Sequence, residues 1–263
     1  MIKIIPKASI KDEAAGCSTI TFVSGMAGIC SVGRIAVDVM VTQFQARLVA
    51  LMYLDDLPAQ VVIDEKGMMN LPVVHIFLAK PAPDACFLLV TGEYQPSSNA
   101  GMFAFVDKLM RYLIEEQGVN ITTIISIGAY IVEQVPSAPK VFVSGTDARV
   151  ITSFLETDKA TTRLMENGLI SGANGVIPAW GTVLGIPGIC LLAETVPVVK
   201  QDPRGAKLVI ELLSKHFGFP FDFTPLVKGA REVETLLAEF NKTSRGASEM
   251  EQQARRDRQS YIG

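Results

Sequence analysis

Short continuous apolar runs alternate with amphipathic stretches along most of this chain. Residues 19–24 (TITFVS) predict a strand, and a Gly-rich turn leads into a helical pattern over about 31–45. Residues 47–53 read as the next strand, with 60–63 and 73–79 as more exposed ones. Residues 86–91 (CFLLVT) form an unbroken β-rich run, as a strand covered on both faces does. Phe103, Val106, Met110 and Leu113 then fall at helical spacing, with Asn99 as the expected N-cap and Gly118 as the stop. Buried strands follow at 121–127 (ITTIISI) and 140–144, and Asp147 caps a short helix from Ala148 to Leu155.

Residues 168–195 hold six glycines and little charge. The pattern there predicts a helix near 174–184 and a strand at 188–193. Asp202 and Pro203 open a helix to about Phe217. Thr224 and Pro225 repeat the device, opening a helix whose apolar face is Leu226, Val227, Ala230, Val233, Leu237 and Phe240. Strands alternating with helices argue for an α/β fold with a mostly parallel sheet. No internal repeat is visible.

The composition changes after Phe240. Residues 1–240 read as a single α/β domain. Residues 241–263 carry five basic and three acidic residues, so this polar tail is +2 while the body is −5. Its final residues Tyr261, Ile262 and Gly263 are less polar than what precedes them. They are either a frayed end or a tethered peptide that inserts into a partner pocket.

With 263 residues, 49% of them apolar and 19% charged, the chain has enough apolar surface for a large core, and disordered, collagen-like and disulfide mini-scaffold classes are excluded. A net charge of −3 is no footprint of a nucleic-acid binder. The apolar runs are strand-sized, so neither a membrane span nor a signal peptide is expected, and a cytoplasmic location is. Cys17, Cys30, Cys86 and Cys190 are far apart, and Cys86 and Cys190 in apolar runs read as small core residues in a reducing compartment. His75 and His216 are the only histidines, too few for a recognisable zinc site, and no metal or cofactor is expected. His75 lies in an apolar run, and His216 lies near a helix C-terminus, where a cation suits the dipole.

Four constellations fall where strands end. Gly25, Gly28 and Gly33 lie between a strand and a helix, with neither dinucleotide nor P-loop spacing. They suit tight packing or close backbone approach to an anion. Glu93 and Gln95 follow the strong strand at 86–91, and Gly128 and Tyr130 follow the one at 121–127. Asn174 and Glu194 complete the set. In an open α/β sheet this edge is where ligands bind, and Glu93 and Glu194 converging there could bind a ribose or carry acid/base work. They could equally organise loops.

GMAGICSVGRIAVD (25–38), DDLP (55–58), LVTGEYQP (89–96), IGAY (127–130), GTD (145–147), ISGANG (170–175), GIPGICLLAET (185–195) and DPRGAKLVIELLSKHFG (202–218) occur in that order. With these segments the chain resembles the proteasome assembly chaperone family of the second-subunit type, in its archaeal and bacterial branch. The resemblance spans about residues 20–240. It implies a three-layer α/β/α sandwich with a mostly parallel mixed sheet, similar to phosphorylase- and hydrolase-like folds. It also implies a homo-oligomer, between trimer and pentamer, with no established enzyme activity, and proteasome α-subunits or the 20S core particle as partner. Some relatives dock through a C-terminal hydrophobic–tyrosine–any ending. Here Tyr261 stands third from the end and Ile262 is penultimate, which departs from that pattern. The alternative is an enzyme or binding protein for a nucleoside-like small metabolite at the sheet-edge cleft.

Overall fold

The computed structural model of the chain describes residues 1–133, 137–197 and 199–238. Its first half runs β1 (Ile2–Pro6), α1 (Ile10–Glu13), β2 (Thr19–Met26), α2 (Val32–Gln43), β3 (Arg47–Leu54), β4 (Val62–Ile63), β5 (Met69–Asn70), β6 (Val74–Ala82) and β7 (Ala85–Gly92). Its second half runs α3 (Asn99–Arg111), β8 (Ile121–Ile131), β9 (Val141–Gly145), α4 (Ala148–Thr157), β10 (Thr162–Leu164), α5 (Ala173–Leu184), β11 (Gly188–Thr195) and α6 (Pro203–Phe217). A last helix, α7, covers 224–238. The expected face residue Phe240, the boundary at 240 and the whole tail lie outside the described residues.

Among the described residues nine strands form one sheet in the order β1-β3-β6-β7-β2-β8-β11-β9-β10, and β4 and β5 pair only with each other. The centre, β7-β2-β8-β11, is parallel. The β1-β3-β6-β7 flank and the β11-β9 pair are antiparallel, so half of the eight neighbouring pairs are antiparallel. The cause lies in the connections. A parallel crossover needs a dozen or more residues and normally a helix. Between β6 and β7 only residues 83–84 intervene, and no helix separates β3 from β6.

Side-chain alternation sends alternate residues of each central strand to opposite helical layers. Phe22, Leu88 and Ile124 face α3 and α5, where they meet Phe105, Leu109 and Ile177. Val23, Leu89, Ile125 and Leu191 face α2, α4 and α6, where they meet Val37, Met40, Phe154 and Leu213. The result is the expected three-layer α/β/α sandwich.

Several local expectations shift. Ser98, not Asn99, caps α3: its Oγ accepts from the Gly101 amide at 2.9 Å, and Ser98 is extended while Asn99 is already helical. Asp56 reinforces the cap, accepting from the Ser98 amide and hydroxyl at 2.9 Å each. Phe103 lies on the outer side of α3 and is exposed, while Met102, Phe105, Val106, Leu109 and Met110 form the buried stripe. The helix continues through a π-turn at Tyr112–Glu116 before Gly118 ends the run at φ +65°. β1 and β10, which no long apolar run announced, form the two sheet edges.

Cys86 is not a free core thiol but is bonded to Cys17. Parallel pairing sets Cys86 opposite Ile20, three residues beyond Cys17, and the two Cα atoms stand 5.8 Å apart, inside the range a disulfide spans. Cys30 and Cys190 are free and buried. His216 stacks on Phe154 with centroids 3.8 Å apart, and its Nδ1 is 2.9 Å from Thr157 Oγ1. That hydroxyl donates to the Ser153 carbonyl, so the imidazole Nδ1–H donates to it. Burial pushes the His216 pKa below the ordinary histidine value, against the cationic preference its helix-end position suggested, and burial also lowers that of His75.

Two measurements test these points. Thiol titration of the denatured chain should find two thiols without reductant and four with it, and reduction should cost up to roughly 4 kcal/mol of stability for a loop of this length. Four thiols without reductant would refute the bond. Because both histidines hold a lowered pKa in the fold, the unfolded chain takes up their protons first as pH falls. Their contribution is therefore complete above the ordinary histidine value and is lost as pH falls through the folded values. Thermal stability should fall between pH 7 and pH 5, and both imidazole NMR resonances should titrate below the ordinary midpoint.

Candidate functional site

The four central strands are parallel, so Met26, Gly92, Ile131 and Thr195 all end at one edge of the sheet. Every constellation read from the sequence lies along it. Gly25 packs against Gly33 of α2, and Gly33 in turn packs against the Ile127 carbonyl of β8. A Cβ on either glycine would overlap backbone. The turn into α2 is sharp, with Cys30 and Ser31 both left-handed at φ 49° and 51°. Gly28, extended at φ −158°, lies against Gln95.

Gln95 joins two loops. Its Nε2 donates to the Ala27 carbonyl at 2.7 Å, and its Oε1 accepts from the Ala173 amide at 2.9 Å, at the start of α5. Next to that start, Ser126 Oγ donates to the Asn174 carbonyl at 2.6 Å. The Asn174 side chain fills the space above Gly128, where a Cβ would overlap its amide. Among the described residues, Asn174 Oδ1 and the fully buried Ser24 Oγ have no hydrogen-bond partner.

The two carboxylates do not converge. Glu93 accepts from Arg34 Nη2 at 3.0 Å, and Arg34 also reaches Asp38 at 3.5 Å, one helical turn further along α2. Burial raises the Asp38 pKa, and the Arg34 charge opposes the rise. Glu194 accepts from the Lys140 amide at 2.8 Å and so holds the entry to β9. β7 and β11 are three strand spacings apart, about 14 Å. Tyr130, partly exposed at the end of β8, stacks obliquely on Phe142 at 4.7 Å. Cavities of about 600 and 840 Å³ open elsewhere, between α6 and α7 and beside β1.

One network escaped the reading of single motifs. Asp202 caps α6, with Oδ1 accepting from the Arg204 and Gly205 amides at 3.1 Å each. The same carboxylate is fully buried, and its Oδ2 accepts from Thr195 Oγ1 at 2.7 Å and Arg204 Nη2 at 3.0 Å. The Asp202 amide donates to the Cys30 carbonyl at 2.9 Å. Burial raises the Cys30 thiol pKa, and the thiol approaches the Val199 carbonyl at 3.2 Å. The Asp-Pro pair signalled the cap. The bonds to Thr195 and Cys30 are tertiary and leave no trace in local spacing.

Among the described residues no group of three or more His, Cys, Asp or Glu could hold a metal ion, and no helix is long and apolar enough to cross a membrane. Tyr261, Ile262 and Gly263 lie outside the described residues. What the edge presents is a set of interlocked loops whose polar side chains mostly bind the backbone of neighbouring loops.

Residues 22–241 match the PAC2 family. An uncharacterized protein of Methanocaldococcus jannaschii is 27% identical over 243 residues, covering 92% of this chain and 90% of that one. The crystal structure of PbaB from Pyrococcus furiosus, described as an archaeal proteasome activator, superposes with a TM-score of 0.80 at 26% identity, over 91% of this chain and 98% of that one. PbaA from the same organism, described as an archaeal homolog of proteasome-assembly chaperone, shares the fold at 19% identity and a TM-score of 0.70, over 96% of this chain and 97% of that one.

Replacing Asp202 with Ala should destabilise the chain by about 3–5 kcal/mol in urea unfolding, because it strips a buried cap and leaves Arg204 without its carboxylate. A loss under 1 kcal/mol would show that the network is not a stabilising centre.

Proposed function

The chain belongs to the PAC2 family, and from that premise we propose that it is a non-enzymatic, chaperone-like scaffold for the proteasome. Its partners are proteasome α-subunits or the assembled 20S core, and it works in the cytoplasm as a homo-oligomer of three to five copies. The observation that carries this reading is the whole-chain likeness to the Pyrococcus furiosus proteasome activator, at 26% identity over 91% of the chain. The interlocked edge supports it too. Glu93 and Glu194 serve separate loops, so the pair a nucleoside-processing cleft would need is not brought together.

The polar tail, residues 241–263, is the proposed contact, with Tyr261 and Ile262 as apolar anchors beside Gly263. Tyrosine gives rigid contact area at little entropic cost. Several tails on one oligomer raise the effective concentration of each after the first has docked, so weak single contacts add to firm binding. The body sets the spacing of the tails and the tails make the contact.

Native mass spectrometry of the protein mixed with proteasome α-subunits from the same source tests this directly. A defined mixed complex is expected, and deletion of residues 241–263 should abolish it while leaving the thermal transition of the body unchanged. A complex that survives the deletion moves the contact onto the folded body. Failure to form any complex, with α-subunits shown to assemble, overturns the proteasome reading.

A further inference from the structure

Folded chains that stay single seldom present contiguous large apolar side chains to water, yet one corner of this molecule gathers them. Among the described residues β4 and β5 pair only with each other, through Val62 with Asn70 and Ile63 with Met69. A two-stranded hairpin is marginal by itself in water. On and beside this one, Ile63, Met68, Met69 and Leu71 are each more than 60% exposed, Met69 reaching 74%. Asp64 Oδ1 shapes its turn by accepting from the Lys66 and Met68 amides at 2.9 Å each. The hairpin is therefore a formed ridge with an uncovered apolar crest.

Directly beside it lies a groove of about 840 Å³. Ile5 of β1, Tyr53 and Leu54 of β3, and Leu57 and Pro58 line it. Val61 and Leu71, which lead into and out of the hairpin, form its near wall. Among the described residues β1 is an edge of the nine-stranded sheet with no partner on its outer side, so the groove meets that edge strand.

We propose that ridge and groove together form a two-fold contact between copies of this chain, the hairpin of one protomer lying in the groove of its partner and the reverse. This rests on the homo-oligomeric part of the reading above and selects its even-numbered form. Three observations favour a second copy as the occupant. Ridge and groove are contiguous on one protomer, which suits an isologous pair, whereas a ring needs the two halves of its contact on separated faces. Charges can pair across it: the turn carries Asp64, Glu65 and Lys66, the groove carries Lys3 and Asp55, and Glu65 and Lys3 are both exposed with no ion-pair partner among the described residues. An apolar surface of this extent also favours permanent cover, and a second copy is present wherever the chain is.

The test uses the full chain alone, so it is independent of proteasome binding. Native mass spectrometry should give an even-numbered oligomer. The double variant Ile63→Asp, Met69→Asp alters two exposed side chains and should reduce the mass at least two-fold, with an unchanged far-UV circular dichroism spectrum. Should the variant fail to fold, hydrogen exchange of the wild-type chain on dilution decides: the amides of residues 61–71 should lose protection as the oligomer dissociates. A monomeric or odd-numbered wild type, an unchanged mass in the folded variant, or protection of 61–71 that does not respond to dissociation would each overturn the proposal.

Discussion

The contact between Gly25, Gly33 and the Ile127 carbonyl is the constraint around which the rest is arranged. It lets α2 lie directly on β2 and β8 with no side chain between them. Such an approach leaves little room to turn from strand into helix, and the turn is made by two consecutive left-handed residues, Cys30 and Ser31. Each costs about 1–3 kcal/mol of backbone strain. That conformation persists because its surroundings hold it. The Cys30 carbonyl accepts from the Asp202 amide, and Asp202 in turn starts α6 and binds Thr195 at the end of β11. A close glycine contact at one strand thereby reaches through a strained turn to the helix that covers the same face.

The central architecture was legible because its signals are local. Continuous apolar runs marked β2, β7, β8 and β11, and Asp147 and Asp202 marked the starts of α4 and α6 through caps that the structure shows. The misread features depend on what lies across space. Whether Ser98 or Asn99 caps α3 turns on Asp56, 42 residues earlier, which fixes Ser98 in an extended conformation. Phe103 fits the helical stripe as well as Met102 does, and only the placement of the sheet decides which of them is buried. The Cys17–Cys86 bond depends on β2 and β7 being parallel neighbours, and a separation of 69 residues carries no such message.

The candidate site shows the same division more sharply. That the glycines, Glu93, Gln95, Asn174 and Glu194 share one sheet edge follows from strand ends, and this was readable. Their roles were not, because each is set by a partner from a different element: Arg34 for Glu93, Lys140 for Glu194, Ala27 and Ala173 for Gln95. A carboxylate at a strand end reads alike in sequence whether it faces a ligand or an amide of its own chain. The distinction lies in strand order, which inserts β2 and β8 between the two glutamates.

An edge that binds its own loops is rigid, and rigidity there has a consequence for the chain that leaves it. Val233 and Leu237 of α7 pack with Val132 and Val196, the residues that follow β8 and β11. The last described helix is thus pinned to the same edge that Gln95 and Asp202 lock together. The described chain therefore ends, at residue 238, in a helix packed on that edge. For a polar segment that acts by local concentration, a fixed origin matters more than a cleft, because the spacing of origins decides which sites two segments can reach together. The polar groups at the strand ends thus spend their hydrogen bonds on their own loops, and those loops support the helix that closes the described chain.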